Sequence, residues 1–165
     1  MSKARIIGGS LAAVAALFGS MAVVNEGVVL HSYADPVWGW KVPTACAGET
    51  GPHIQKGMTF TMDECMAMLG KRAPKIWSVL ENCVQGDIRV NEAAALVSLA
   101  DSVGTSPVCA STMVRLHNEG QPASVWCAQF DRWHYAGGLD CRTAWQCSGI
   151  IDRRKRERAV CEGNQ

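Results

Sequence analysis

The sequence predicts a mainly helical α+β domain with a small hairpin lobe, carried behind an N-terminal membrane segment. Three observations predict it. An uncharged run of 19 residues, Ile6 to Val24, follows Lys3 and Arg5. Residues 37–51 hold Trp, Gly, Pro and Thr in a short-strand pattern. From Thr61 to Cys161, helix start and stop signals recur. The 165 residues suffice for one domain around a single core. A composition of 48% hydrophobic and 19% charged residues argues against a disordered or polar-tail protein. A net charge of +1 gives no strong pull toward nucleic acid.

The N-terminal run comes first. As a helix its 19 residues would extend roughly 28 Å, close to a hydrocarbon core of about 30 Å. The preceding Lys3, Arg5 and terminal amine predict an inside N-terminus and export of the rest. Ten of the 19 residues are Gly, Ala or Ser, and only eight are strong inserters. Those eight supply about −2 to −5 kcal/mol, so the segment is expected to sit weakly in a bilayer. Two outcomes compete. Ser20-Met21-Ala22 has the small-x-small form of a signal-peptide cleavage site, and the favoured alternative is an uncleaved weak anchor. Gly8, Ala12, Ala16 and Ser20 recur every four residues, as on a membrane-helix interface.

Next, Glu26 is expected to open a short apolar helix that ends at the Asp35-Pro36 turn. Two carboxylates nine residues apart can converge on one cleft. Glycoside hydrolysis needs such a pair, one protonated to assist the leaving oxygen and one ionised. Residues 37–51 then form the hairpin lobe, where Trp38 and Trp40 either touch sugar rings or pack within the lobe. Thr61-x-x-Glu64 is a capping box, and Pro74 is expected to kink or break the helix it opens near Arg72. Ile76, Val79, Leu80 and Cys83 continue its apolar face. Asn91 is expected to cap the next helix and Gly104 to end it. Further helices are expected near 109–119, 123–131 and 150–161. Met58, Met62, Met66 and Met68 read as core filler. His31, His53, His117 and His134 lack ligand spacing, so no metal and no cofactor are expected.

Eight cysteines, with no CxxC pair, point to disulfides in an oxidising compartment. Cys141 and Cys147 bracket a short loop and are placed to close on each other. The other pairings are not derivable from spacing.

The residues around the carboxylates carry a resemblance. Glu26-Gly27-x-x-Leu30-x-Ser32-Tyr33-x-Asp35-Pro36, then Thr44-x-Cys46-x-Gly48-x-Thr50-Gly51, resembles the active-site signature of phage-type lysozymes, glycoside hydrolase family 24. The ordered series continues through Thr61 to Leu69, Asn91 to Gly104, Ser111 to Gly120, Phe130-x-x-Trp133-x-Tyr135-Ala136-Gly137-Gly138, and Gly149 to Cys161. It covers residues 26–161. Two departures stand out. About three extra residues lie between Asp35 and Thr44, and Glu49 occupies a place where the family tends to carry His.

The resemblance implies a lysozyme-like fold, peptidoglycan as substrate and three catalytic positions. Glu26 would be the general acid, which must be protonated at working pH. Asp35 would stay ionised, and Thr44 would hold water. It also implies that Arg153 or Arg154 pairs with Glu26, the alternative being a solvated helix face. The N-terminal run looks like that of signal-anchor-release endolysins: residues 1–25 as the weak anchor and 26–165 as the lysozyme domain. The protein would be held inactive at the host inner membrane, then released to the periplasm, acting as a monomer made by a phage or prophage. Moving three positive charges outward costs roughly 2.3 kcal/mol per charge per 100 mV, a barrier that vanishes when the potential collapses. The run contains no cysteine, so thiol exchange with Cys46 is not open to it. The alternatives are a lytic transglycosylase, which would use one acid, and a non-catalytic disulfide-rich glycan-binding module. A holin is opposed by the single apolar run.

Overall fold

The computed structural model describes residues 3–35 and 38–164, the side chain of Glu26 excepted. Every residue from Glu92 to Ala100 is buried. A helix buried all round must sit at the centre of a domain, and α3 (Val90–Val103) does. α1 (Leu11–Glu26) and α7 (Gly149–Glu162) both pack against it, while α2 (Met62–Leu80) lies against α1 and α3. The shorter α4 (Thr105–Cys109), α5 (Thr112–Asn118) and α6 (Ala123–Trp126) close the far end. Phe18, Leu69, Leu80, Leu96, Leu99, Trp126 and Phe130 fill the core between them.

The sheets are small. β1 (Arg5–Ile7) pairs in parallel with β5 (Asp87–Arg89). β2 (Val29–Asp35), β3 (Gly39–Cys46) and β4 (Glu49–Thr50) form an antiparallel sheet in the order β2-β3-β4. The outer edge of β2 is covered, with Ser32 N–H donating to Met58 O and Phe60 N–H to Leu30 O. A last hairpin, β6 (Tyr135–Ala136) and β7 (Leu139–Asp140), precedes α7.

The uncharged N-terminal run is divided in this fold. Ile6 and Ile7 lie in β1, Ser10 caps α1 through its side chain, and the helix begins at Leu11. Val14, Ala15, Phe18, Met21 and Ala22 are buried in the core. Among the described residues, no helix is long and apolar enough to cross a membrane. The four-residue stripe is not the packed face: Gly8, Ala12, Ala16 and Ser20 are all exposed. The larger residues are buried instead, because apolar area drives packing. Gly19 lets α2 approach closely, since a Cβ there would meet the Met66 methyl at 2.9 Å.

Several expectations need correction. Glu26 ends a helix rather than opening one, and residues 29–35 are a strand. A short apolar run such as Val28-Val29-Leu30 reads equally as helix or strand, and pairing with β3 decides it. α2 runs unbroken through Pro74, although an interior proline costs about 3 kcal/mol. Cys65, Leu69, Ala73, Trp77 and Leu80, buried on both sides of it, outweigh that cost. Val79 lies outside that face, 46% exposed. Met58 and Met62 are exposed rather than core.

Other helix signals hold. Thr61 and Glu64 form the reciprocal capping box, and Gly104 ends α3. Asn91, however, does not cap α3. Its side-chain amide donates to Val160 O and Cys161 O, each at 2.9 Å, and so caps the end of α7.

Candidate active site

The candidate catalytic residues lie along the segment where α1 hands over to the antiparallel sheet and through its first two strands. Gly27 stops the helix at φ 70, a left-handed conformation that costs a side-chain-bearing residue roughly 1 kcal/mol or more. The chain then enters β2. Val29 pairs with Cys46, Tyr33 with Thr44, and Asp35 with Gly39. Glu26 thus lies three residues before the Val29–Cys46 pair, and Thr44 two residues before Cys46. Thr44 sits opposite the residue two before Asp35. Glu26 therefore precedes the start of β2, Asp35 ends that strand at the hairpin turn, and Thr44 lies on the neighbouring strand between those levels; the side chain of Glu26 lies outside the described residues.

The surroundings of Asp35 and Thr44 differ. Asp35 Oδ1 accepts the Trp38 N–H at 2.8 Å. Thr44 is only 4% exposed, and its hydroxyl donates to Val42 O at 3.2 Å. Its strand is fastened twice. Cys46, two residues on, forms a disulfide with Cys65 in the first turn of α2. Cys46 is also the one described non-glycine residue with positive φ, at 53.

Glu49 turns the family's histidine position into part of an ionic clamp. Arg72 Nη2 donates to Glu49 Oε2 at 2.8 Å and to Ala47 O at 3.1 Å. Its Nη1 reaches Asp101 at 3.1 Å, and His53 Nε2 lies 3.3 Å from Glu49. Burial pulls the Arg72 guanidinium down, but Asp101 and Glu49 more than offset this and hold its pKa above the ordinary value. The clamp joins the hairpin lobe to α2 and α3.

Neither Arg153 nor Arg154 lies on a solvated face. Arg154 is 3% exposed and meets Glu157, itself fully buried, at 2.8 Å. Arg153 Nε donates to Glu157 Oε1 at 3.1 Å and its Nη2 to Ser98 O at 3.1 Å. Ser98 Oγ donates to Glu157 Oε1 at 2.6 Å, and Arg154 Nη2 to Ser102 Oγ at 3.0 Å. Burial pushes the Glu157 carboxyl up against the pull of Arg154, and lowers Arg154 to about 10. One turn along α7, Arg156 Nε donates to Asn25 Oδ1 at 2.8 Å, beside Glu26. Sequence reasoning named both arginines but missed Glu157, Ser98 and Ser102. The available signal was a glutamate three and four residues after two arginines, a spacing that puts all three on one helical face.

The disulfides are Cys46–Cys65, Cys83–Cys109, Cys127–Cys161 and Cys141–Cys147. The last is the pair expected from the short loop. Among the described residues, no cluster of three metal-ligating side chains occurs.

Known proteins are similar to this chain in sequence and fold. The phage lysozyme family model matches residues 24–157. The chain is 36% identical over 136 residues to a SAR-endolysin of Enterobacteria phage P21, covering 82% of this chain and 76% of the relative. It is 26% identical over 145 residues to an endolysin of Salmonella phage P22, covering 82% and 88%. A crystal structure of a P22 lysozyme mutant superposes with TM-score 0.73 at 26% identity, over 87% of this chain and 93% of that one. The active form of the P1 phage endolysin Lyz shares the fold, with TM-score 0.69 at 18% identity over 93% of each chain.

Proposed function

The chain belongs to the phage lysozyme family and is an endolysin-type lysozyme, and from that premise we propose how it works. It hydrolyses the β-1,4 bond between N-acetylmuramic acid and N-acetylglucosamine in peptidoglycan. The family match over residues 24–157 carries this reading, with Glu26 at the end of α1 and Asp35 and Thr44 on the paired strands β2 and β3 as its candidates. Glu26, protonated, gives its proton to the glycosidic oxygen as the bond to the anomeric carbon breaks. Asp35, ionised, stabilises the positive charge that develops on the sugar. Thr44 orients the water whose oxygen bonds to that carbon, and the proton this water loses passes to solvent. Arg153, one helical turn from the Arg156–Asn25 contact, holds the catalytic acid in place from α7.

The N-terminal segment has two resting places in this reading. In the first, residues 6–24 lie in the host inner membrane, and the core lacks the side chains that α1 supplies. In the second, after the membrane potential collapses, the same residues form β1 and α1, and the enzyme attacks the cell wall to lyse the host. Similarity to proteins named SAR-endolysins supports this. So does the burial of Val14, Phe18 and Ala22, which a cleaved signal peptide would remove from the core.

The test is digestion of purified Gram-negative sacculi by the full chain, wild type beside Glu26→Gln, with mass spectrometry of the products. Hydrated muropeptides from wild type and none from the variant are expected. Anhydro products would instead assign a lytic transglycosylase. Binding without products would assign a glycan-binding module. For the anchor, the protein is expected to move from the membrane fraction to the soluble fraction when an ionophore dissipates the potential.

A further inference from the structure

The pairing of β2 with β3 changes register beside Asp35. Ala34 pairs with Pro43, yet the next residue, Asp35, pairs with Gly39. Trp40, Lys41 and Val42 therefore stand outside the ladder as a three-residue bulge. This bulge absorbs the extra length between Asp35 and Thr44 while keeping both residues paired. Bulges bend a strand and re-aim its side chains, and they concentrate near active sites.

Here the bulge and its turn present two tryptophans to solvent. Trp38 is 65% exposed and Trp40 is 43% exposed, on either side of Gly39 at φ 58. The same chain buries Trp77 and Trp126 almost completely. Large apolar rings left in water are unfavourable by the area they expose, and indole faces suit a partner that is flat and apolar on one side. A pyranose ring is such a partner: its axial C–H bonds form an apolar face, with hydroxyls around the rim. The ammonium of Lys56 lies 5.0 Å from the Trp40 ring centroid and helps fix that ring's orientation. The backbone N–H of Trp38 donates to Asp35 Oδ1, which fixes the Trp38 backbone next to that carboxylate and is kept when the ring is replaced.

We propose that Trp38 and Trp40 form an aromatic platform that binds a sugar ring of the peptidoglycan glycan strand beside Asp35. The platform extends the site beyond the two sugars that flank the cleaved bond, and Lys41 and Lys56 supply positive charge for the carboxylates of stem peptides. This rests on the muramidase reading above. It makes the long glycan strand, rather than a short fragment, the preferred substrate.

The experiment uses the full chain as wild type, Trp38→Ala/Trp40→Ala and Trp38→Phe/Trp40→Phe. Initial rates on polymeric glycan strands are measured against substrate concentration. The double alanine variant is expected to raise the half-saturating concentration about 10-fold, with kcat within about twofold and an unchanged thermal midpoint. The double phenylalanine variant is expected to retain most of the affinity, because an aromatic face remains. Equal half-saturation in wild type and the double alanine variant would overturn the platform. A second arm needs no turnover: cosedimentation with sacculi in the Glu26→Gln background, with and without the two alanines. Wild type that binds but yields no product would count against the muramidase reading, and this arm would still decide the platform. Loss of binding to anionic lipid vesicles, with sacculus binding intact, would assign the two rings to the membrane and overturn the proposal.

Discussion

α1 and α7 flank the same central helix and solve the same packing problem in opposite ways. α1 has no charged residue before Glu26 and buries Val14, Phe18, Met21 and Ala22. α7 carries eight charged residues in fourteen, yet buries Arg154 and Glu157. The contacts of α1 are non-directional, so a lipid tail and a protein core are similar environments for it. Those of α7 are specific: Arg153, Arg154 and Glu157 meet Ser98 and Ser102 with defined donors and acceptors. α7 is also tied covalently through Cys127–Cys161, whereas α1 holds no cysteine. An apolar helix without a covalent tie can exchange one apolar setting for another. A helix with a buried ionic cluster is committed to the one partner that completes it.

Three measurements break or sharpen this contrast. The largest effect is expected on α1. Deleting residues 1–24 should abolish cooperative thermal unfolding, because it removes one wall of the core. Phe18→Ala alone should cost about 3–5 kcal/mol in urea unfolding, and a loss under 1 kcal/mol would show that α1 is not integral to the folded body. On α7, Glu157→Gln should cost about 3–5 kcal/mol, since it strands the buried Arg154 guanidinium and removes a partner of half-buried Arg153. Arg154→Met combined with Glu157→Leu should cost less than Glu157→Gln, as expected where the buried charges, rather than packing, set the cost. Additive losses would refute that account. The smallest effect is expected at the N-terminal charges. Lys3–Glu81 at 2.9 Å and Arg5–Asp87 at 2.7 Å are both exposed pairs. Replacing Lys3 and Arg5 together by Gln should leave the thermal midpoint of the folded form nearly unchanged, because exposed pairs are screened by solvent.

Signals confined to neighbouring residues were legible in the sequence. The Thr61–Glu64 capping box, the end of α3 at Gly104 and the Cys141–Cys147 loop each depend on residues a few positions apart, and each is found. Where reading failed, a distant segment had decided. Residues 29–35 are a strand because β3 and residues 58–60 pair with both of its edges. Pro74 stays inside α2 because buried residues on either side hold the helix against the core. Asn91 looks like a cap for its own helix, yet it caps α7, about seventy residues away. At the candidate site, the identities and order of Glu26, Asp35 and Thr44 were readable. The register that sets Thr44 opposite Tyr33, two residues before Asp35, was not, because β-pairing supplies it.

The sequence by itself determined the composition of the parts: a marginally apolar leader, two carboxylates in a known signature, and eight cysteines destined for bonds. It also determined that Asp35 and Thr44 stand nine residues apart. Tertiary structure decided how those parts are used. It divided the leader into a strand and a core helix, and turned Glu49 into an ionic clamp with Arg72. It also placed the extra residues in a bulge that lifts two indole rings beside Asp35. The physical reason is the range of the forces involved. Capping, turn preference and residue polarity act within a few positions of the chain. Burial, strand register and the pairing of buried charges depend on which surfaces meet, and only the folded chain brings those surfaces together.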